Sequence, residues 1–468
     1  MNRFFVVLLF CLTNLPLYAQ NKSLFKDGDK VCFVGNSITN NGEFYNFVYL
    51  YYATRFPFEK VTFLNCGISG DDAAGMLRRL DEDVLSHKPS WTVLMVGMND
   101  VRRNLYIKAN EAKSGIDAQK KQAIERYKQD CETLVEKMSK NSHVILQKPT
   151  IYDQTVVSNA ENAFGVNDAL GECAAIMLQL SKKYNTRLVD YRTLMNRIND
   201  SLQKNDVSLS VVGKDRIHPE SPGHFLMAYQ FLKETEAPKY VSKIYLNIKN
   251  KKTEEANVNC QVSNIKVRNE GVSFECLENS LPFPVKDEAE KVLQWVPFTK
   301  ELNQQLLNVK GLKKGIYDLW IDGKKISSYS EKELNEGINL SLKKHTPQYQ
   351  QAIAVMNLCV EYRKQESFLR SLKFVELLQK PGFAEIKDIT KRREMLDERL
   401  KDFKNSGHSS YYETQFNKYL LNKPKELDIR QKLDAIKAEI YKINKPVVHT
   451  FRVVHTFSLK KREGYGEI

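Results

Sequence analysis

From Lys30 to about Leu232 the chain alternates short apolar runs with longer amphipathic stretches, and this alternation leaves few architectures open. The apolar runs are Val31–Val34, Val61–Asn65, Trp91–Val96, Val144–Gln147 and Arg187–Val189. They are short and largely apolar without a polar alternate face, as strands buried on both sides are. Between them, Phe44–Thr54, Ala73–Leu80, Lys120–Met138, Asp168–Lys183 and Pro222–Lys233 carry apolar residues at helical spacing. Strands alternating with helices predict a three-layer, doubly wound α/β sandwich around a parallel sheet. Functional groups in such a fold are expected at the carboxyl ends of the strands.

The pattern changes near Lys239. Val262–Val267 and Val272–Cys276 flank a turn at Asn269-Glu270-Gly271, and the stretch from Gly315 to Gly323 reads as a strand ending in an Asp-Gly turn. Residues 346–445 then turn helical, with apolar spacing clear in Ala352–Tyr362 and Leu433–Ile443, before Val447–Thr456 returns to strand character. The expected organisation is a signal peptide over 1–19, an α/β domain over 24–238, a β-rich domain over 239–345, a helical excursion over 346–445, and a terminal strand and tail over 446–468.

The amino terminus supports the first of these. Met1-Asn2-Arg3 precedes an apolar run from Phe4 to Leu17, followed by Tyr18-Ala19-Gln20. This order fits a secretory signal peptide cut after Ala19, and so an exported, periplasmic or extracellular protein. Cys11 follows the bulky Phe10, which disfavours a lipoprotein cleavage site there. No later stretch is long and apolar enough for a transmembrane helix. Hydrophobic residues make up 42% of the chain, enough for a sizeable core. The net charge of +14 comes from lysines and arginines scattered among acids, with short clusters at Lys391–Arg393 and Lys460–Arg462. We read it as solvated surface, suited to weak attraction by anionic polymers and not to a nucleic-acid interface. Of eight cysteines, none falls in a metal-binding spacing. Cys32 and Cys66 read as buried thiols, and Cys260 and Cys276 flank the expected hairpin as candidates for a disulfide.

Four short motifs lie where the strand pattern places a sheet edge or the loop before the last helix. The first strand ends in Val34-Gly35-Asn36-Ser37-Ile38-Thr39. A serine there is a nucleophile, a helix N-cap or a phosphate ligand. The chain lacks the GxGxxG and GxxxxGK[ST] signatures at this point, and Thr39 stands where a GxSxG elbow needs glycine. The second motif is Asn65-Cys66-Gly67-Ile68-Ser69-Gly70-Asp71, whose glycines permit a tight turn or a close backbone approach to a ligand. The third, Gly97-Met98-Asn99-Asp100, brings an amide to the same edge, while Asp100 suits a helix cap. The fourth is Asp215-Arg216-Ile217-His218-Pro219, in which a carboxylate and an imidazole three residues apart can orient and act as a general base.

Together, in this order, these blocks resemble the SGNH (GDSL-like) hydrolase family over roughly residues 28–235. The family's serine, glycine, asparagine and histidine match Ser37, Gly67, Asn99 and His218, and its aspartate matches Asp215. One departure is Asn36, where the family usually has aspartate. The resemblance implies a flavodoxin-like fold and an ester hydrolase. Ser37 would attack the carbonyl, His218 would take its proton, and Asp215 would orient the imidazole. The backbone N–H groups of Ser37 and Gly67 and the side-chain amide of Asn99 would meet the oxyanion. No metal or organic cofactor is implied.

The expected substrate is a short acyl ester, foremost acetyl, on a carbohydrate. The segment after Asp100 is rich in charge (Arg102, Arg103, Lys108, Glu111, Lys113), and no long apolar loop suited to an acyl tunnel stands beside the catalytic blocks. Competing readings are a lipase- or thioesterase-like member, acyl transfer to an acceptor other than water, and an inactive binding or scaffold protein. The loop bearing Arg102, Arg103 and Tyr106 and the segment Pro149–Asp153 are candidates for bordering the substrate. Trp295-Val296-Pro297-Phe298 is either a sugar platform or core. The region beyond residue 240 is expected to supply no catalytic group.

Overall fold

The structure is a computed structural model and describes residues 23–249, 252–253, 257–404 and 409–457. The proposed signal peptide lies outside the described residues. Among those described, no helix is long and apolar enough to cross a membrane.

The first part is a five-stranded, wholly parallel sheet of β1 (Lys30–Gly35), β2 (Thr62–Gly67), β3 (Trp91–Met95), β4 (His143–Gln147) and β5 (Arg187–Val189), in the spatial order β2-β1-β3-β4-β5. The order reverses direction at β1, and the β1–β3 boundary is the switch point where such sheets bind ligands. Burial on both faces explains the near-continuous apolar runs. Val31 and Phe33 enter the core on one side, and Cys32 and Val34 enter the core on the other. Helices Ala73–Asp83, Ile116–Asn141 and Val166–Lys183 cover the second side. Each expected strand and helix of this part is present, with ends moved by at most a few residues. Besides the short helices Ser37–Asn41 and Lys108–Glu111, the helix Tyr191–Gln203 has no counterpart in the sequence reading; Asp190 caps it through the Thr193 N–H.

The other side is covered by two helices, α1 (Ser37–Asn41) with α2 (Glu43–Arg55), and by Ser221–Glu234. Every residue of α2 from Phe44 to Arg55 is buried. A helix buried all round needs cover on its outer side as well, and the second half of the chain supplies it. Leu281, Phe283 and Phe298 reach one flank of the same continuous core, while Ala352, Val355, Tyr362, Leu433 and Ile440 reach it from two helices, Pro347–Leu377 and Glu426–Ile443. Arg55, fully buried at the end of α2, donates to the carbonyls of Pro238 (3.0 Å) and Leu302 (3.1 Å). Within the Trp295–Phe298 stretch, Val296 and Phe298 belong to this core, Phe298 packing on Phe283 and Phe225, while Trp295 is half-buried against it.

The β-rich part consists of two sheets around a separate core of Ile244, Val272, Phe274, Leu307, Leu319, Phe451 and Val453. One contains β6 (Tyr240–Asn247), β7 (Lys252–Thr253), β10 (Gln304–Lys310) and β13 (Ile338–Asn339) in the order β13-β10-β6-β7. The other contains β8 (Cys260–Arg268), β9 (Gly271–Glu278), β11 (Ile316–Ile321), β12 (Lys324–Ser330) and β14 (Val448–His455) in the order β12-β11-β14-β9-β8. The helical excursion therefore interrupts the β-rich part, and its returning strand β14 is central, antiparallel to both β11 and β9. Cys260 and Cys276 are free thiols, which overturns the disulfide candidate. The hairpin register sets Cys260 opposite Glu278 and Cys276 opposite Val262, so the two are diagonal neighbours with their thiols in contact, and the Cys260 thiol donates to the Lys243 carbonyl.

A fragment ending at residue 238 would expose the outer side of α2 and leave Arg55 without the Leu302 carbonyl as acceptor. It is expected to be insoluble or to lack cooperative unfolding; a soluble fragment with a sharp thermal transition and native near-ultraviolet dichroism would contradict this shared core.

Candidate active site

Ser37 is the first residue of α1, directly after β1. Asn36 caps that helix, its side-chain oxygen accepting from the Ile38 N–H (3.2 Å). The amide therefore retains the capping acceptor that an aspartate would provide there. As the first helical residue, Ser37 has an N–H with no partner within the helix.

The structure brings His218 and Asp215 to Ser37 across the sheet edge. Ser37 Oγ lies 2.7 Å from His218 Nε2, and His218 Nδ1 is hydrogen-bonded to Asp215 Oδ2. A carboxylate on Nδ1 selects the tautomer with hydrogen there, which leaves Nε2 to accept from the serine hydroxyl. The other Asp215 oxygen accepts the backbone N–H groups of Ile217 (3.0 Å) and His218 (2.9 Å). Partial burial would raise the Asp215 pKa. The bonds from the His218 ring and from these amides outweigh it and hold the carboxyl down at about 2, so it stays ionised as an orienting group. The relay is open to solvent: the His218 and Asp215 side chains are 46% and 50% exposed.

Arg216, between these two residues, is a functional support that sequence reasoning missed. Its backbone is left-handed (φ 70°), which turns its side chain inward. The buried guanidinium donates to the carbonyls of Asp153 (3.1 Å), Val156 (2.7 Å) and Ala160 (3.2 Å). Asp153 in turn accepts from Asn199, Gln203 and Ser210. Asp153 therefore braces the loop of the base and does not border substrate as expected. Tyr106 is likewise buried, with the Lys120 ammonium 4.7 Å from its ring centre. Arg103 remains near the site, half-buried within electrostatic reach of Tyr152 and Asp215, and Arg102 is exposed.

The β2 loop corrects one assignment. The Gly67 N–H donates to Asn65 Oδ1 (2.9 Å), so it is already committed. What requires glycine at 67 is contact with α1: a Cβ there would stand 2.3 Å from the Asn40 nitrogen and 2.7 Å from the Thr39 carbonyl carbon. Three residues on, Gly70 has φ 82°, open space where a Cβ would project, and an N–H with no acceptor among the described residues. The repeated glycine in Gly67-Ile68-Ser69-Gly70 carried this signal. Asn99 uses one amide hydrogen on the Asp71 carbonyl (2.8 Å), which fixes its side chain and leaves the second hydrogen for a ligand. Asp100 accepts from the Ala73 N–H (2.8 Å) at the start of the Ala73–Asp83 helix, and burial pushes its carboxyl up to about 7.

Behind this loop, Glu366 of the Pro347–Leu377 helix accepts the Asn65 N–H (2.9 Å) and the Tyr45 hydroxyl. Burial pushes Glu366 up to about 7, against the opposing Asn65 N–H and Arg370 charge.

Gly67→Ala should force α1 away from β2 and slow the reaction of Ser37 with a fluorophosphonate probe by about 100-fold, since ångström-scale displacement of reacting groups has that cost; an unchanged labelling rate would contradict the contact. Glu366 binds a proton more tightly folded than unfolded. Its contribution is full below its unfolded value near 4.5 and is lost as pH rises through about 7, on the order of 3 kcal/mol in all. The melting temperature of the parent should therefore fall relative to that of Glu366→Gln as pH rises from about 4.5 to about 8. Parallel pH profiles would show that the carboxyl is not held neutral.

The sequence profile of the GDSL-like Lipase/Acylhydrolase family matches residues 33–226. An acetylxylan esterase from Geobacillus stearothermophilus is 24% identical over 223 residues, 44% of this chain and 94% of its own length. Among solved structures, BT4096, a gut microbial diltiazem-metabolizing enzyme, is 31% identical with a TM-score of 0.81, covering 93% of this chain and 99% of its own. Axe2, an acetylxylan esterase from Geobacillus stearothermophilus, is 23% identical with a TM-score of 0.36, covering 46% of this chain and 96% of its own. The serine–histidine–aspartate geometry on a flavodoxin-like sheet and a similarity that runs nearly the whole length of a solved relative lead to one conclusion: the chain belongs to the GDSL-like lipase/acylhydrolase (SGNH) family and is a hydrolase acting on ester bonds.

Proposed function

We propose that this hydrolase removes short acyl groups, foremost acetyl, from a carbohydrate, through an acyl-enzyme on Ser37. The observation that carries the mechanism is the continuous hydrogen-bond relay Ser37–His218–Asp215. His218 Nε2 takes the hydroxyl proton as Oγ bonds to the ester carbonyl carbon. The oxyanion that develops is met by the Ser37 N–H, the Gly70 N–H and the second Asn99 amide hydrogen. Collapse breaks the bond to the alcohol oxygen, which leaves with the proton from His218. Water, deprotonated by the same imidazole, then attacks the acyl-enzyme, and the carboxylic acid leaves as Oγ regains its proton.

Two observations support the substrate class. The acetylxylan esterase relative matches over nearly its whole length. A cleft of about 820 Å³ lies beside Asp215, outside the Ser37–His218 contact, and its lining mixes Ser158, Asn159, Ser210 and Lys214 with the apolar Val157 and Leu209. These hydroxyl, amide and charged groups suit a hydroxylated alcohol portion. The similarity to BT4096 adds a second alcohol to test, diltiazem itself. The leader-like residues 1–19 support action outside the cytoplasm, which amino-terminal sequencing of the mature protein would test by a start at Gln20.

Ser37→Ala and His218→Ala should each reduce ester turnover by about three orders of magnitude or more, and the double variant should be little worse than either. Near-parental turnover in Ser37→Ala would remove the nucleophile from this scheme. With p-nitrophenyl esters, kcat/KM should stay flat or fall as the acyl chain lengthens from about two to about eight carbons, because each methylene that found an apolar groove would add about 0.8 kcal/mol of binding. A steady climb would replace the acetyl reading with a lipase- or thioesterase-like one.

A further inference from the structure

The long helix Pro347–Leu377 lies well beyond the family-matched residues 33–226, yet it reaches under the reacting groups. Arg370, buried on this helix, donates from Nε (3.2 Å) and Nη2 (3.1 Å) to the Gly67 carbonyl. Its Nη1 (2.7 Å) and Nη2 (2.8 Å) also grip both oxygens of Asp83. Asp83 is buried, and a second guanidinium, Arg79, donates to it (2.6 Å). Arg79 continues to the carbonyls of Cys66 (2.9 Å) and Gly35 (3.2 Å) and to Asp71 Oδ2 (2.7 Å).

One arginine–aspartate–arginine unit thus holds the carbonyls at the ends of β1 and β2, immediately before Ser37 and the Gly70 loop. The Gly67 carbonyl is its meeting point, because Asn40, three residues after Ser37, donates to it too (3.0 Å). The two cations face two carboxylates, Asp83 and Asp71, so the unit is charge-balanced without solvent. Asp83 remains ionised despite burial because the two arginines offset its desolvation.

We propose that Arg370 is a positioning residue for ester hydrolysis: the C-terminal region fixes the Gly67 peptide, and through it the spacing between Ser37 and the oxyanion donors on the following loop. This rests on the acyl-enzyme reading above and leaves standing the expectation that residues beyond 240 supply no catalytic group, while giving that region a positioning role. Arg370 touches no substrate. Without it, the Gly67 carbonyl retains one donor of three, and Asp83 loses its bidentate partner.

The test uses the full-length chain with p-nitrophenyl acetate. Arg370→Gln is expected to lower kcat by about 10- to 100-fold while KM moves by less than about threefold, because donor alignment matters most in the transition state. Arg370→Lys, with a compact ammonium that cannot span the carbonyl and both carboxylate oxygens, should recover part of this loss. Leu433→Ala, which truncates a buried core side chain on the Glu426–Ile443 helix, serves as a control for lost stability and should keep kcat within about twofold at a temperature where both variants are folded. Parental kcat in folded Arg370→Gln overturns the proposal, as does an equal kcat loss in Leu433→Ala. If Arg370→Gln does not fold, parental kcat in Arg370→Lys overturns it and a reduced kcat at unchanged KM supports it. Fluorophosphonate labelling of the parent separates the two levels: an unlabelled Ser37 defeats the acyl-enzyme reading itself, whereas rapid labelling with indifferent Arg370 variants defeats only the positioning role.

Discussion

Helix α2 has no face for water. Phe44, Tyr45, Phe47, Val48, Tyr49, Leu50, Tyr51 and Tyr52 occupy every direction around its axis. One side packs on the parallel sheet, as any helix of a doubly wound fold does, and the remainder must be covered by something else. The burial of several aromatic and aliphatic side chains, each contributing about 1.5–3 kcal/mol, is why the second half of the chain is bound to the first as one folded body. The positions of the long helix, the Phe283–Phe298 segment and the last helix all follow from that requirement. So does the route by which Arg370 and Glu366 reach the β2 loop.

The parallel sheet and its helices were legible in the sequence for a physical reason. Strands buried on both faces leave unbroken apolar runs, and helices with a polar side leave a clear period. The base–carboxylate pair was legible because Asp215 and His218 are close in sequence and one loop bonds them. The Tyr191–Gln203 helix carries the same signal, with Tyr191, Leu194, Met195 and Ile198 at i, i+3, i+4 and i+7. The crowded pattern of α2 is equally legible in the sequence: a helix without a polar side requires a second covering layer.

The oxyanion loop shows where resemblance alone is insufficient. Gly67 and Gly70 lie three residues apart, and a motif match does not say which N–H is free. Only the Asn65 side chain on the Gly67 N–H, and the approach of α1 to its Cα, distinguish a glycine needed for packing from one with an available donor. Arg216, Arg370 and Asp83 were invisible for a related reason. Their partners are backbone carbonyls or residues hundreds of positions away, and neither leaves a periodic or local trace.

Strand β14 has a consequence for how the molecule is made. It occupies the middle of the five-stranded sheet, yet it follows β9 by about 170 residues and follows β11 by more than 120. A chain emerging from the ribosome can form the parallel sheet early, but β9 and β11 wait with unpaired edges until residue 455 has passed. A product released prematurely displays two open strand edges, the feature that chaperones and proteases capture. Closure of this sheet therefore waits on residue 455, and chains cut short before it carry their own mark for disposal.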